Sequence, residues 1–444
     1  MALLALLCRA GVCRATTYYV DLYRGNDTYS GTSTSTAWKT VANVNASSFS
    51  PGDAVLFKRG QSWNETLDPP GSGASNNPIV FGAYGTGDRP VLKSVAGNHA
   101  YHIVYEHLHI DMQNATSGIA FGLYDVQDVS VQYCEVERAG RINLFAGPSR
   151  NLTIRHCELH HAGTEHGIYI SGEINWDNSY AGSDAPVIEY CNIYSNGQYG
   201  IQFNANGTMP ENHISNYIVR NNRIHHNSYG ALNEIGGKDG LFCNNLLYEN
   251  VSSSIDIGQS SGASERRAAV NILFCHNVIC KTGTYTWGYA IEVGGENAPN
   301  TGITFYNNLI IAPAAEIAVE SSALTVTFDY NMYDLARWLW KDFEYNSFTN
   351  WRSGTGQDAH SLEADPCFVD AARADFHLTG GSPAIDCART ISTVTNDLDG
   401  DARPYGAAPD IGADEFVPES GVIRHFVLFA LAMFCHLKTS RGTL

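Results

Sequence analysis

The sequence predicts an all-β solenoid: a parallel β-helix of about eight or more coils, three strands each, with an N-terminal capping helix and a C-terminal appendage. Two observations carry this prediction. One position recurs as Cys134, Cys157, Cys191, Asn222, Asn245, Asn277, Asn308 and Asn331, at intervals of 23, 34, 31, 23, 32, 31 and 23 residues. Its flanks recur with it. Three positions before stand Val131, Ile154, Ile188, Val219, Phe242, Phe274, Phe305 and Phe328; two after stand Val136, Leu159, Ile193, Ile224, Leu247, Ile279, Ile310 and Tyr333. Repeats of 20–50 residues mark units that bury their apolar faces only by stacking.

Along the chain, residues 1–15 combine a short apolar run with small residues near Ala15 and lack a basic start; they read as a signal remnant or a mis-set start. Residues 16–100 read as a cap and first irregular coils, where TAWKTVANVN forms a short amphipathic helix that plugs an open apolar end. Residues 101–333 hold the regular coils. Each carries a strand of the GIYI or SIDI kind, a second strand ending three residues before the column, and a third just after it. Extra residues fall mostly after the first strand, at 172–186, 205–216 and 258–270, which builds up one rim. Asparagine in the column fits a stacked amide ladder, and it tolerates the left-handed backbone of such a turn. Residues 334–419 lack the column and read as a separate module. Residues 420–444 form an apolar and basic tail, read as a sorting signal or a disordered end.

Of 444 residues, 27 are Lys or Arg and 45 Asp or Glu, a net charge of -18, which argues against nucleic acid or an anionic membrane as partner. The 11 cysteines cannot all pair internally. Cys134, Cys157 and Cys191 read as a buried thiol stack. Cys243 and Cys275 occupy equal positions on neighbouring coils, about 4.8 Å apart and within disulfide range. Cys367 and Cys387 form a second candidate pair.

YYVDLYRGNDTYSGTSTSTAWKTVANVN followed by SPGDAVLFKRGQSW resembles the N-terminal region of secreted right-handed β-helix proteins of the pectate-lyase-like superfamily, and the NNxI coils fit the same group. DPCFVDAARADFHLTGGSPAID and NDLDGDARPYGAAPDIGADEF resemble the choice-of-anchor Q module of surface proteins. The resemblance implies a right-handed helix and a secreted or cell-surface location with surface anchoring. It says little about activity, since the superfamily includes lyases, hydrolases, epimerases and non-catalytic proteins. The NTD, DD, GHG and RIK motifs of polygalacturonases and the DPH motif of mannuronan epimerases are missing.

Counting from the column gives the outward positions of the first strand as Ala120, Asn143, Tyr169, Gln202, Glu234, Asp256, Glu292 and Ala318, with NEIGG aligned to IEVGG. Glu234, Asp256 and Glu292 then form a row with neighbours about 5 Å apart. Such a row serves a glycosidic acid and nucleophile or base. Alternatively it holds Ca²⁺ for a lyase acting on a uronate polymer. A third alternative is a solvated acidic face on a non-catalytic adhesin or glycan-binding solenoid. The hydrolase, which needs no cofactor, is slightly favoured. His166 is the candidate proton shuttle and Lys238 the candidate lyase base. Tyr169, Gln202, Tyr199, Tyr229, Trp176 and Asp177 are candidates for binding the sugar. The expected partner is an extracellular polysaccharide, bound by a monomer.

Two further groups read as structural. His160 and His161, and His225 and His226, look like metal ligands, but the coil of Tyr194 and Ser195 separates the pairs by about 10 Å. Arg155 and Arg220 flank Glu189 as an ion-pair ladder. The loop of Asp397, Asp399 and Asp401 resembles a calcium loop yet lacks the length and closing Glu of an EF-hand, so a plain turn is favoured.

Overall fold

The computed structural model describes residues 15–172, 182–205, 213–258, 267–281, 288–294 and 299–418. They form a right-handed parallel β-helix whose coils pair in register, with irregularities at Trp63/Thr66, Thr301/Ile303 and Ala312/Glu316. Val131, Ile154, Ile188, Val219, Phe242, Phe274, Phe305 and Phe328 pair each with the next, coil upon coil. All eight are buried. A typical coil runs from Ile218–Arg220 in one sheet, around Asn222, into Arg223–His225 and Leu232–Ile235 of the other. Alternating side chains send every second residue into the lumen. There Phe242, Phe274, Phe305 and Phe328 stack at centroid distances of 5.4, 4.8 and 4.7 Å.

The asparagine column is an amide ladder. From Asn222 to Asn331 each Nδ2 donates to the Oδ1 of the next asparagine at 3.0 Å. The same Oδ1 also accepts the preceding asparagine's backbone N–H. Cys134, Cys157 and Cys191 continue the column as buried free thiols donating to backbone carbonyls. Burial raises the Cys134 and Cys157 thiols well above the usual range, which makes them unreactive.

The left-handed residue is not the column residue, as expected from sequence, but the one before it. Tyr133, His156, Tyr190, Asn221, Asn244, His276, Asn307 and Tyr330 all have φ between 51° and 60°. This turns their side chains outward. His107, Tyr133, His156 and Tyr190 stack on one another. Asn221, Asn244, His276 and Asn307 instead bond backbone carbonyls of Asp397, Asn396, Asp410 and Arg389. The C-terminal module is therefore not separate. It packs Phe376, Leu378, Ala384 and Ile411 onto Leu246, Val278, Leu309 and Met332 of the helix.

Both ends are covered. The helix Val41–Asn45, N-capped by the Thr40 hydroxyl, buries Val41 and Val44. At the other end the helix Phe348–Thr355 sets Trp351 edge-on against Phe328, with its indole N–H held by Asp358.

The expected disulfides are not formed. Cys243 and Cys275 pair in register but carry free buried thiols, and Cys367 and Cys387 are free and exposed. Arg220 pairs with Glu189 at 2.7 Å, whereas Arg155 bonds Gln132 rather than Glu189. Asp397 accepts the backbone N–H groups of Asp399, Gly400 and Asp401, as in a side-chain-closed turn.

Candidate functional site

The register sets the outward row of the groove sheet. Tyr169 pairs with Gln202, Gln202 with Asn233, Asn233 with Asp256, Asp256 with Glu292, and Glu292 with Ala318. On the other side the row continues through Phe145 and Gly122 to Ala96. Asn233 thus holds the position expected for Glu234. The register matches Leu232, Asn233 and Glu234 to Ile255, Asp256 and Ile257, one residue off the expected alignment. Glu234 pairs with Phe203 and Ile257 and points into the lumen, fully buried. The proposed trio of Glu234, Asp256 and Glu292, as catalytic or calcium-binding row, is reduced to Asp256 and Glu292. Asn143 also leaves the row. Its amide bonds Asn196, which starts a second buried ladder through Asn227 and Asn250.

Asp256 is buried, at 4% exposure. Tyr199 Oη donates to its Oδ2, while Oδ1 has no hydrogen-bond partner. Burial raises its pKa to about 6, against the lowering effect of Tyr199, Ser253 and nearby Lys281. Lys281 is buried as well, its ammonium donating to the carbonyls of Val251 and Ser252, and burial lowers its pKa to about 8. Glu292 lies in register beside Asp256 and is 6% exposed.

His166 sits at the turn before Tyr169. Its Nδ1 accepts the Tyr199 backbone N–H at 3.3 Å, and its ring packs on Tyr199 and Tyr169. Burial lowers its pKa to about 3, so the ring stays neutral. A neutral ring has no proton to donate, and the contacts of His166 run to Tyr199 and Gln202. Gln202 Nε2 donates to Asn233 Oδ1 at 3.3 Å, and Asn204 Nδ2 donates to the Tyr169 hydroxyl at 2.6 Å. Tyr229 is exposed and leans on Tyr199. Lys238 is a correction too. It stands exposed on the other sheet, paired with Ser215 and Val270, away from the row. Trp176 and Asp177 lie outside the described residues, as do most of the three rim insertions.

Sequence reasoning missed Asn233, Ser253 and Lys281. Lys281 stands four residues after Asn277, the offset shared by Arg138, His161, Ser195, His226 and Glu249, so the column itself could have found it. Toward the far end, Val95, Ala96, Gly118, Gly122, Tyr124 and Arg141 border a depression of about 410 Å³ on the same face. Tyr124, Phe145 and Tyr169 stack from there toward the acids.

Fold and site together define a right-handed parallel β-helix with a long polar and aromatic groove and one buried acidic pair. The "Right handed beta helix region" family matches residues 179–331. The uncharacterized protein YwoF of Bacillus subtilis (strain 168) is 24% identical, over 81% of this chain and 90% of its own. Among solved structures, pectate lyase Pel9A superposes with a TM-score of 0.57 at 16% identity, covering 92% of this chain and 98% of its own. The GH136 lacto-N-biosidase of Eubacterium ramulus superposes with a TM-score of 0.52 at 13% identity, covering 79% and 67%. These likenesses establish the fold.

Proposed function

We propose that this protein is a secreted carbohydrate-active enzyme that cleaves an extracellular polysaccharide by glycoside hydrolysis, with Asp256 and Glu292 as the catalytic pair. The observation that carries the reading is Asp256: a buried carboxyl, unpartnered at Oδ1, in register with a second acid on the groove face. Neighbouring coils put the two acids about 5 Å apart, the spacing of a retaining pair. Glu292 attacks the anomeric carbon and forms a glycosyl ester, while protonated Asp256 gives its proton to the departing glycosidic oxygen. Asp256 then takes a proton from water as that water breaks the ester. With its pKa raised to about 6, Asp256 carries the proton in mildly acidic conditions. Tyr169, Gln202, Asn233 and the aromatic stack toward Tyr124 hold the sugar chain, and the length of the groove suits a polymer. The helices Val41–Asn45 and Phe348–Thr355, which pack their apolar residues at the two ends among the described residues, favour a monomer.

Elimination has less support. Its candidate base, Lys238, faces elsewhere, and the calcium trio has lost Glu234. A lyase would need Ca²⁺ held by Asp256, Glu292 and side chains outside this row.

The test is a panel of neutral and uronate polysaccharides, with and without a chelator, read for new reducing ends, for unsaturated-uronide absorbance and for anomeric configuration by NMR. Reducing ends with retained configuration and no unsaturation support the proposal. Chelator-sensitive unsaturation replaces it with the lyase, and binding without turnover replaces it with the adhesin.

A further inference from the structure

On the strand just after the column, away from the acidic pair, three coils bring His109, Glu135, Glu137, His160 and His161 together. Glu135 pairs with His109 and Glu158, and Glu137 with Asp111 and His160. We propose that Glu137, His160 and His161 form a binding site for a first-row divalent transition ion such as Zn²⁺, completed by water. Donor atoms of these three side chains all lie within 4.8 Å of one another. His160 Nδ1 is 2.7 Å from His161 Nδ1 and 3.6 Å from Glu137 Oε2. Two imidazole nitrogens and a carboxylate oxygen facing one point are a common zinc donor set. A bound ion replaces the single proton that the two nitrogens must otherwise share.

The surroundings fit the same use. His160 Nε2 faces Glu135 Oε1 at 3.5 Å, which selects the tautomer that leaves Nδ1 free to bind, as a carboxylate behind a ligating histidine does. His109 Nε2 lies 3.0 Å from Glu137 Oε1 and orients that carboxylate. Arg138 contacts Glu137 Oε1 at 3.2 Å but is committed to Asp111, so Oε2 remains for the ion. His160 is buried and His161 exposed, which gives the ion an entry path and room for water.

The chain carries its own control. His225 and His226 repeat the contact, with Nδ1 atoms also 2.7 Å apart. The local geometry of a His–His pair at this turn is therefore not enough. At the second pair, Tyr194 stands where Glu137 stands at the first, and Asn192 stands where Glu135 stands. The second pair does meet a carboxylate, Glu249 Oε2 at 2.8 Å from His226 Nε2, but among the described residues only the first pair has donor atoms of a carboxylate and both rings within 4.8 Å of one another.

The experiment titrates Zn²⁺ into the chelator-stripped full-length protein by calorimetry, with Co²⁺ absorption as a second readout. The expected result is one ion with Kd below about 10 μM and a tetrahedral Co²⁺ spectrum. Asparagine tolerates the left-handed backbone at 161 and 226, so His161→Asn and His226→Asn keep the fold. His161→Asn and Glu137→Gln should each weaken binding by roughly 10-fold or more, and His226→Asn should leave it unchanged. The proposal fails if no saturable binding appears or if His161→Asn and Glu137→Gln bind as the parent does. It also fails if His377→Ala removes the ion, which would place it instead at His377, Asp399 and Asp414.

Discussion

Glu234 and Asp256 stand on neighbouring coils, both buried and each with one carboxylate oxygen lacking a hydrogen-bond partner. Burial raises both, Glu234 to about 8 and Asp256 to about 6. Yet one faces the lumen and the other the groove, because they differ by a single step in strand alternation. Glu234 is enclosed by the chain itself: Oε1 takes the Gly237 N–H, and a Cβ at Gly237 would lie 1.9 Å from that oxygen and 2.8 Å from the Tyr217 ring. Asp256 lies on the groove face, in register with Glu292, with its unpartnered Oδ1 buried just beneath the surface. Burial and a raised pKa therefore do not identify a catalytic acid in a β-helix; the face of the sheet decides.

The sharpest way to break this comparison is to neutralise each acid in turn. Asp256→Asn and Glu292→Gln should lower kcat by roughly 10³-fold or more on whichever substrate the panel identifies. Glu234→Gln should leave kcat within a few-fold. Equal losses for Glu234→Gln and Asp256→Asn would mean that the lumen acid takes part in the chemistry.

The second effect is on stability. In the folded state Glu234 holds its proton up to about pH 8, whereas in the unfolded chain it ionises near 4.5. Between these values the folded state binds more protons than the unfolded one. Folding stability therefore falls as pH rises through that window, by an amount on the order of 4 kcal/mol. Glu234→Gln removes the effect, so its midpoint in urea should exceed the parent's at pH 8 and match it at pH 4.5. A midpoint difference independent of pH would show that Glu234 is not buried as a neutral acid.

The same one-residue step explains what the sequence could and could not reveal. The column was legible because the lumen admits few side chains: an amide ladder needs Asn at each rung, and the position three before must be apolar. The second ladder was equally legible in principle, since Asn196, Asn227 and Asn250 each follow a column residue by five. At LNEI strand alternation places an acid inward, against the usual pattern, and the two glycines after it match those of IEVGG one position out of register. The cysteine pairing failed for another reason: register brings Cys243 and Cys275 side by side, but adjacency alone does not set the bond's geometry. The contacts of the C-terminal module depend on outward side chains at the left-handed turn, a position whose residues vary from Tyr to His to Asn and carry no repeat signal.

A gentler change supplies on the outer face the acid that Glu234 does not. Asn233→Asp puts a carboxylate beside Asp256 in the row, about 5 Å away. Repulsion at that distance should raise the Asp256 pKa by roughly 2 units. The alkaline limb of the kcat/KM profile, where Asp256 loses the proton it must donate, should move up accordingly. An unmoved limb would remove Asp256 from the role of acid.

The smallest change tests how Asp256 is tuned. Tyr199 Oη donates to Oδ2 and stabilises the ionised form, and that phenol is itself raised by burial and by Asp256. Tyr199→Phe deletes the bond and leaves the ring packed on His166 and Tyr229. The carboxylate loses a donor while its burial is unchanged, so its pKa should rise by about 1 unit. The alkaline limb shifts upward with it, and kcat at the optimum falls only a few-fold, since proton donor and nucleophile both remain. A downward shift would mean that removing the hydroxyl admits water to Asp256, so that Tyr199 Oη raises the acid by shielding it from solvent more than it lowers it by donating a hydrogen bond.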